Sequence, residues 1–180
     1  MENTNPRIYG FDLDFTLCDS IPYAQQVAEK EDLIMDLSKY KDPYYPVFGI
    51  LCGKERSEEL NKKYFGNTYI LAVKPNPGVL KLLLSLKKLG NSIYIVTGRS
   101  SDEKEATYQW LEKYNIPYDK AIFTTDKCKA IREYNIDKLF EDDPDYITPD
   151  PELKDHFMVI KRPYNEYLKN EGYELFSSFL

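Results

Sequence analysis

The sequence predicts a doubly wound α/β domain, a parallel sheet covered by helices on both faces, with a small helical cap inserted after the first strand. Three observations predict it. From residue 75 onward, short apolar runs alternate with amphipathic stretches, which is the rhythm of strand–helix–strand units. The runs are near-continuous, as in Ile93, Tyr94, Ile95 and Val96, as strands buried on both faces must be. Residues 20–74 break the rhythm: they read as helix and aromatic loop, with no strand pattern.

The first strand is Ile8, Tyr9, Gly10 and Phe11, closing on Asp12. In the insertion, the stretches YAQQVAEKEDLIMDL and KERSEELNKKYFG carry helical spacing and bracket the aromatic loop YKDPYYPVFGILCG. Regular alternation then resumes. Asn76 suits a helix cap, Pro77 a first helical position and Gly90 a helix end. Val79, Leu80, Leu83, Leu84 and Leu86 give that helix a wide apolar face. SIYIV is the second strand, ending at Thr97. Ser100 and Glu103 form a capping box for a helix with Ala106, Trp110, Leu111 and Tyr114 on one face. AIFTT is the third strand, DKCKAIREYN a helix, KLFED the fourth strand and FMVIK the fifth. The tail PYNEYLKNEGYELFSSFL is expected to close with a helix. Residues 1–19 and 75–180 form the core domain in this reading, and 20–74 the cap.

The chain has 180 residues, 42% hydrophobic and 30% charged, enough for one full core and against disorder. The net charge of -6 argues against an extended nucleic-acid partner, which favours a basic surface, and leaves room for a small phosphorylated ligand at a local site. Cys18, Cys52 and Cys128 are odd in number and form no C-x-x-C pair, as expected of free thiols in a reducing compartment. The opening residues lack a signal-like apolar region and no run is long enough to span a bilayer, so a cytoplasmic protein with no membrane partner is expected. Oligomeric state is open. There is no G-x-x-x-x-G-K and no G-x-G-x-x-G, hence no advertised ATP or dinucleotide site.

In such a sheet, ligands bind beyond the carboxyl ends of the strands. Those ends carry a selective set of polar residues. Asp12 and Asp14 follow the first strand with only Leu13 between them. Thr97, Gly98 and Arg99 end the second. Asp126 and Lys127 follow the third, and Glu141, Asp142 and Asp143 end the fourth. Like charges two residues apart at the tip of a buried strand are costly unless a cation or a chemical task offsets them.

These residues resemble the motifs of the haloacid dehalogenase-like hydrolase superfamily. DLDFT fits its D-x-D-x-T motif, IYIVT its apolar strand ending in Thr, Lys127 its lysine and LFEDD its acidic motif. The four come in order over roughly residues 6 to 162. The run PGV, VTGR, YNIPYDKAIFTTDK, LFEDDPD and RPYN resembles, more finely, the cytosolic 5'(3')-deoxyribonucleotidase branch and its related nucleotidases. In that branch a D-K dipeptide supplies the lysine, so Lys127 is preferred to Lys129. The resemblance implies a strand order of 3-2-1-4-5, with Asp12 as nucleophile and Asp14 as general acid and then base. It implies Mg²⁺ on Asp12, on the backbone carbonyl of Asp14 and on Asp142, with Asp143 in support. Thr97, the Gly98 amide and Lys127 would neutralise the phosphoryl oxygens. The related transport ATPases carry Thr in place of Asp14, so Asp14 favours phosphoester hydrolysis or phosphotransfer.

The implied activity is a Mg²⁺-dependent phosphomonoesterase, with a nucleoside monophosphate as favoured substrate. A polynucleotide-end phosphatase, a sugar-phosphate phosphatase and a non-catalytic binding module stand as alternatives. Phe15 departs from the Gly found in many members and would narrow the entrance. Arg99 reads equally well as a substrate contact and as a surface residue. Trp110 and Cys18 read as packed, His156 as structural and Glu141 as merely preceding the site. Tyr40, Tyr44, Tyr45, Phe48, Lys54 and Arg56 read as packing or solvated residues, although the aromatics could stack a base and the two cations could meet a phosphate.

Overall fold

The computed structural model describes residues 6–34, 52–177 and 179. Its centre is one parallel sheet: β1 (Ile8–Phe11), β2 (Ser92–Thr97), β3 (Lys120–Phe123), β4 (Lys138–Glu141), β5 (Phe157–Ile160) and β6 (Leu175–Phe176). The spatial order is β3-β2-β1-β4-β5-β6. The expected order 3-2-1-4-5 therefore holds, with one strand added. β1 lies between β2 and β4, with Gly10 opposite Tyr94 on one side and Leu139 on the other. Strand order reverses at β1, so its carboxyl end opens a crevice between two oppositely wound halves.

The helices among the described residues are α1 (Ser20–Lys30), α2 (Lys54–Tyr64), α3 (Asn67–Ala72), α4 (Val79–Lys88), α5 (Lys104–Lys113), α6 (Lys127–Tyr134) and α7 (Pro144–Ile147). Neighbouring strand residues feed different cores, as the two-residue period requires. Ile93, Ile95 and Phe140 pack with Leu83 of α4 and Trp110 of α5. Val96 and Leu139 pack with Ile131 of α6 and Ile147 of α7. The two layers explain why the strands read as unbroken apolar runs. Gly10 permits the second layer to close: a Cβ there would stand 2.8 Å from Leu139 Cδ1 and 3.2 Å from Ile136 Cγ2. Trp110 is fully buried and its indole N–H donates to the Val73 carbonyl at 3.0 Å. The lone histidine, His156, bonds the Ile136 carbonyl through Nδ1 at 2.8 Å.

Residues between β1 and α4 form a separate cluster, in which Phe15, Ala24, Val27, Leu60 and Tyr64 pack together. The sequence marks this segment as helical; α3 is an additional short helix after Gly66. The aromatics Tyr40, Tyr44, Tyr45 and Phe48 lie outside the described residues, and so does the far end of the first helical stretch. α1 stops at Lys30, and Asp32 turns the chain with φ +55°.

Two expectations need correction. Among the described residues, the tail does not close with a helix. A short helical turn at Glu166–Lys169 is closed by Gly172, φ +82°, and Leu175–Phe176 then pairs in parallel with Val159 and Ile160. The open edge of β5 offers backbone partners that a two-residue strand can use. Asn76 does not cap α4. Gly78 occupies the cap in a left-handed conformation, while the Asn76 amide donates to the Thr16 and Cys18 carbonyls, tying the start of α4 to the turn after β1. The capping box of Ser100 and Glu103 is present.

Candidate active site

The site begins where β1 runs out. The Asp12 N–H still bonds the β4 ladder through the Phe140 carbonyl at 2.8 Å, which fixes the Asp12 side chain over the strand tips. The chain then makes a wide turn in which the Leu17 and Cys18 N–H groups reach back to the Asp12 and Leu13 carbonyls at 3.3 and 2.8 Å. Phe15 lies inside this turn with φ +60°, a left-handed conformation that costs a non-glycine residue about 1 kcal/mol or more. The strain is held from both sides: the Phe15 N–H donates to Ser20 Oγ at 2.7 Å, and the Arg162 guanidinium donates to its carbonyl.

Lys127 is the centre of the floor. Its ammonium is fully buried, 2.5 Å from Asp12 Oδ1 and also paired with Glu141 Oε2. It lies 4.3 Å from the centre of the Tyr146 ring. Burial opposes its charge, but Asp12 and Glu141 together outweigh that and keep it protonated. Lys129, by contrast, is exposed and gives only its backbone N–H to Asp126, the cap of α6, at 2.8 Å. Asp126 therefore starts the helix that drives Lys127 inward.

Asp142 lies beside them at the end of β4. Its Oδ1 accepts from the Thr16 hydroxyl at 2.9 Å, its Oδ2 from the Tyr164 hydroxyl, and its backbone carbonyl from Asn165 Nδ2 at 2.7 Å. One ligand oxygen each from Asp12, Glu141 and Asp142 falls within 4.8 Å of the others. Three carboxylates thus lie together, and the one buried ammonium pairs with two of them. Burial, reinforced by neighbouring charge, pushes Asp142 and Glu141 each up to about 7 and raises Asp12 well above the usual carboxylate range. An all-oxygen, charge-rich and water-poor donor set of this kind fits a hard divalent cation. Glu141 is the least suited of the three to ligate it, because Oε2 holds Lys127 and Oε1 accepts the N–H groups of Asp142 and Asp143 at 2.9 and 3.0 Å. Sequence reasoning passed over Glu141. Its signal was an ionisable residue closing a strand that is otherwise buried.

Asp14 turns away from this floor. Its carboxylate faces Arg99 Nη1 at 3.1 Å, and its side chain keeps 32% exposure at the mouth. Burial raises its proton affinity, while Arg99 and the Tyr69 hydroxyl pull the other way. Arg99, left open by the sequence, is a buried member of the site. Asp12, Asp14, Phe15, Phe65, Gly98 and Arg99 share the lining of a cavity of about 310 Å³ with the acidic end of β4. Gly98 has no room for a side chain: a Cβ would stand 2.7 Å from the Tyr146 hydroxyl. Thr97 is fully buried and its Oγ1 accepts the Arg99 N–H at 3.3 Å. Asp143 caps α7 by accepting the Asp145 N–H at 2.9 Å and also lines the cavity. Cys18 is fully buried. Arg56 binds Glu31 and Glu59 within the insertion.

No family model matches the chain. Among curated proteins it is similar to a "Putative nucleotidase" of Bacillus cereus, with 24% identity over 177 residues, covering 92% of this chain and 87% of that protein. It is also similar to a "Putative nucleotidase" of Halalkalibacterium halodurans, with 31% identity over 144 residues, covering 76% and 70%. Among solved structures, a "predicted phosphoglycolate phosphatase" from Haemophilus somnus superposes with TM-score 0.62 at 16% identity over 98% of this chain and 96% of that one. A "predicted phosphatase" from Clostridium acetobutylicum does so with TM-score 0.60 at 22% identity over 97% and 95%. With the ordered motifs, the strand order and these relatives together, the chain belongs to the haloacid dehalogenase-like hydrolase superfamily, in the branch of its nucleotidase-named members.

Proposed function

We propose that the protein is a Mg²⁺-dependent phosphomonoesterase that works through an aspartyl-phosphate on Asp12, with a small phosphorylated metabolite, foremost a nucleoside monophosphate, as substrate. The observation that carries this reading is the division of labour between the two acids after β1. Asp12 is buried against Lys127 and the β4 acids, while Asp14 stands at the cavity mouth against Arg99.

In the first half of the reaction an Asp12 oxygen bonds to phosphorus. The ester P–O bond breaks with its electron pair on the leaving oxygen, and Asp14 gives that oxygen a proton. In the second half Asp14, now a carboxylate, takes a proton from water. The water oxygen bonds to phosphorus, the Asp12–phosphorus bond breaks, and phosphate leaves. Lys127 orients Asp12 and offsets charge on the phosphoryl oxygens, as do the Gly98 amide and Thr97. Glu141 holds Lys127 in place. Asp12, Asp142 and the Asp14 backbone carbonyl would hold Mg²⁺, whose chemistry would be to screen the phosphoryl charge. The segment 20–74 acts as a cap that selects the substrate and excludes water. A cavity of about 310 Å³ suits a small ester, since ligand pockets start near ~300 Å³.

Phosphate release tests this directly. Wild type and Asp12→Asn are assayed with and without Mg²⁺ on an aryl phosphate, nucleoside 5'- and 3'-monophosphates, sugar phosphates and a 3'-phosphorylated oligonucleotide. Mg²⁺-dependent release that Asp12→Asn abolishes is the expected result, and the best substrate assigns the branch. A folded wild type that binds Mg²⁺ and releases phosphate from nothing would be a binding module instead.

A further inference from the structure

Arg99 is over-determined for a residue that merely pairs with a carboxylate. Its side chain is only 3% exposed. Nη1 reaches both oxygens of Asp14, at 3.1 and 3.4 Å. Nη2 donates to the Gly66 carbonyl at 3.2 Å and lies 2.9 Å from Glu103 Oε1. The guanidinium carbon sits 5.8 Å from the centre of the Tyr69 ring. Its buried Nε makes no hydrogen bond among the described residues, a cost that surface pairing would have avoided. Glu103 is itself immobilised, because its other oxygen accepts from the Ser100 N–H and hydroxyl at 2.8 and 2.9 Å.

The guanidinium is therefore splinted through Nη2 by the start of α5 on one side and by the turn before α3 on the other, and Nη1 is presented to Asp14. Both Nη atoms are committed, so a phosphoryl group would have to displace Asp14, Gly66 or Glu103 to bind there. We propose that Arg99 is a positioning residue for the proton transfer: it holds and aims the Asp14 carboxyl at the leaving oxygen. The inference rests on the function proposed above. The step it assists is the first half of that reaction. The Asp12 oxygen bonds to phosphorus, the ester bond gives its electron pair to the leaving oxygen, and the Asp14 proton moves to that oxygen. Leaving groups that depart poorly need that proton; a nitrophenolate does not. Because the splint includes Gly66 and Tyr69, the insertion takes part in proton delivery and not only in shaping the cavity.

The test compares Arg99→Gln and Arg99→Lys with wild type on p-nitrophenyl phosphate and on glycerol 2-phosphate, an alkyl ester, at saturating Mg²⁺. Loss of an aimed general acid predicts that Arg99→Gln lowers kcat on the alkyl ester about 100-fold and on the aryl ester less than ~5-fold, with KM little changed. Arg99→Lys keeps the charge without the fork and falls between. In an Asp14→Asn background, Arg99→Gln adds no further selective loss. Equal losses on both esters, or a shared rise in KM, would overturn the inference and make Arg99 a phosphoryl contact or a purely structural residue. Should Arg99→Gln fail to fold, the ester ratio of Arg99→Lys decides in the same way. Wild-type turnover that is absent altogether sinks the proposed function and this inference together; turnover with equal losses sinks only the inference.

Discussion

Two ionic clusters in this protein are built from the same side-chain types with inverted stoichiometry. In the core, one ammonium, Lys127, serves Asp12 and Glu141 with Asp142 close by. In the insertion, one carboxylate, Glu31, is served by Arg56, Lys63 at 2.9 Å and the Tyr64 hydroxyl. Glu141, desolvated and short of cations, is pushed up to about 7. The Tyr64 hydroxyl and Lys63 bring Glu31 down to about 2. Environment alone separates two glutamates that far. The insertion cluster is electrostatically complete, so it is structural. The core cluster is short of positive charge, a balance that the proposed divalent cation would restore.

The largest way to break the contrast is Lys127→Met. It leaves Asp12 and Glu141 buried without a counter-charge, so stability in urea should fall by about 3–5 kcal/mol and phosphate release should drop to background. Added Mg²⁺ is next. If the core cluster lacks a cation, Mg²⁺ at about 100 times its dissociation constant should stabilise wild type by ~2.7 kcal/mol, read as a rise in Tm that Asp142→Asn removes. Tyr164→Phe and Thr16→Val each delete one hydroxyl donor to Asp142. Each should cost about 1 kcal/mol and raise the Mg²⁺ concentration for half-maximal activity by roughly 10-fold.

A last comparison concerns pH. Glu141 and Asp142 hold protons in the folded state up to about 7, after the unfolded chain has released them, so metal-free stability falls as pH rises from about 4.5 through 7. Glu31 works in the opposite sense. Its contribution is full above the unfolded value of 4.5 and is lost as pH falls toward about 2. Thermal unfolding of metal-free protein across pH should show both slopes. Glu31→Gln should flatten only the acidic one, and Mg²⁺ only the neutral one.

The sheet was legible because each of its first five strands is a near-continuous apolar run, and a parallel sheet buried on both faces demands that. The gathering of Asp12, Asp14, Lys127 and Asp142 at one rim was legible, because charged residues at the ends of buried strands have few other reasons to be there. β6 was not legible, since two residues beside an open edge carry no periodicity. Glu141 and Arg99 were not assigned a role, because each acquires one only from what folds against it. Glu141 needs Lys127 from the helix that precedes its strand. Arg99 needs Gly66 and Tyr69 from a segment some thirty positions earlier in the chain. Tyr164 was one of 16 tyrosines until the end of β5 brought it to Asp142. Asn76, the expected cap, shows that a residue with the right local chemistry can be claimed by a more distant carbonyl.

The bond from Thr16 to Asp142 joins residues 126 positions apart. A chain emerging from the ribosome holds Asp12 early but has no fourth strand to complete the carboxylate set, so until that strand arrives Asp12 and Lys127 lack Glu141 and Asp142 beside them. Loop closure of that span is slow relative to local helix formation. Hydrolytic competence is therefore withheld until synthesis is almost finished, and a chain truncated before β4 would carry the D-x-D-x-T signature while remaining chemically silent.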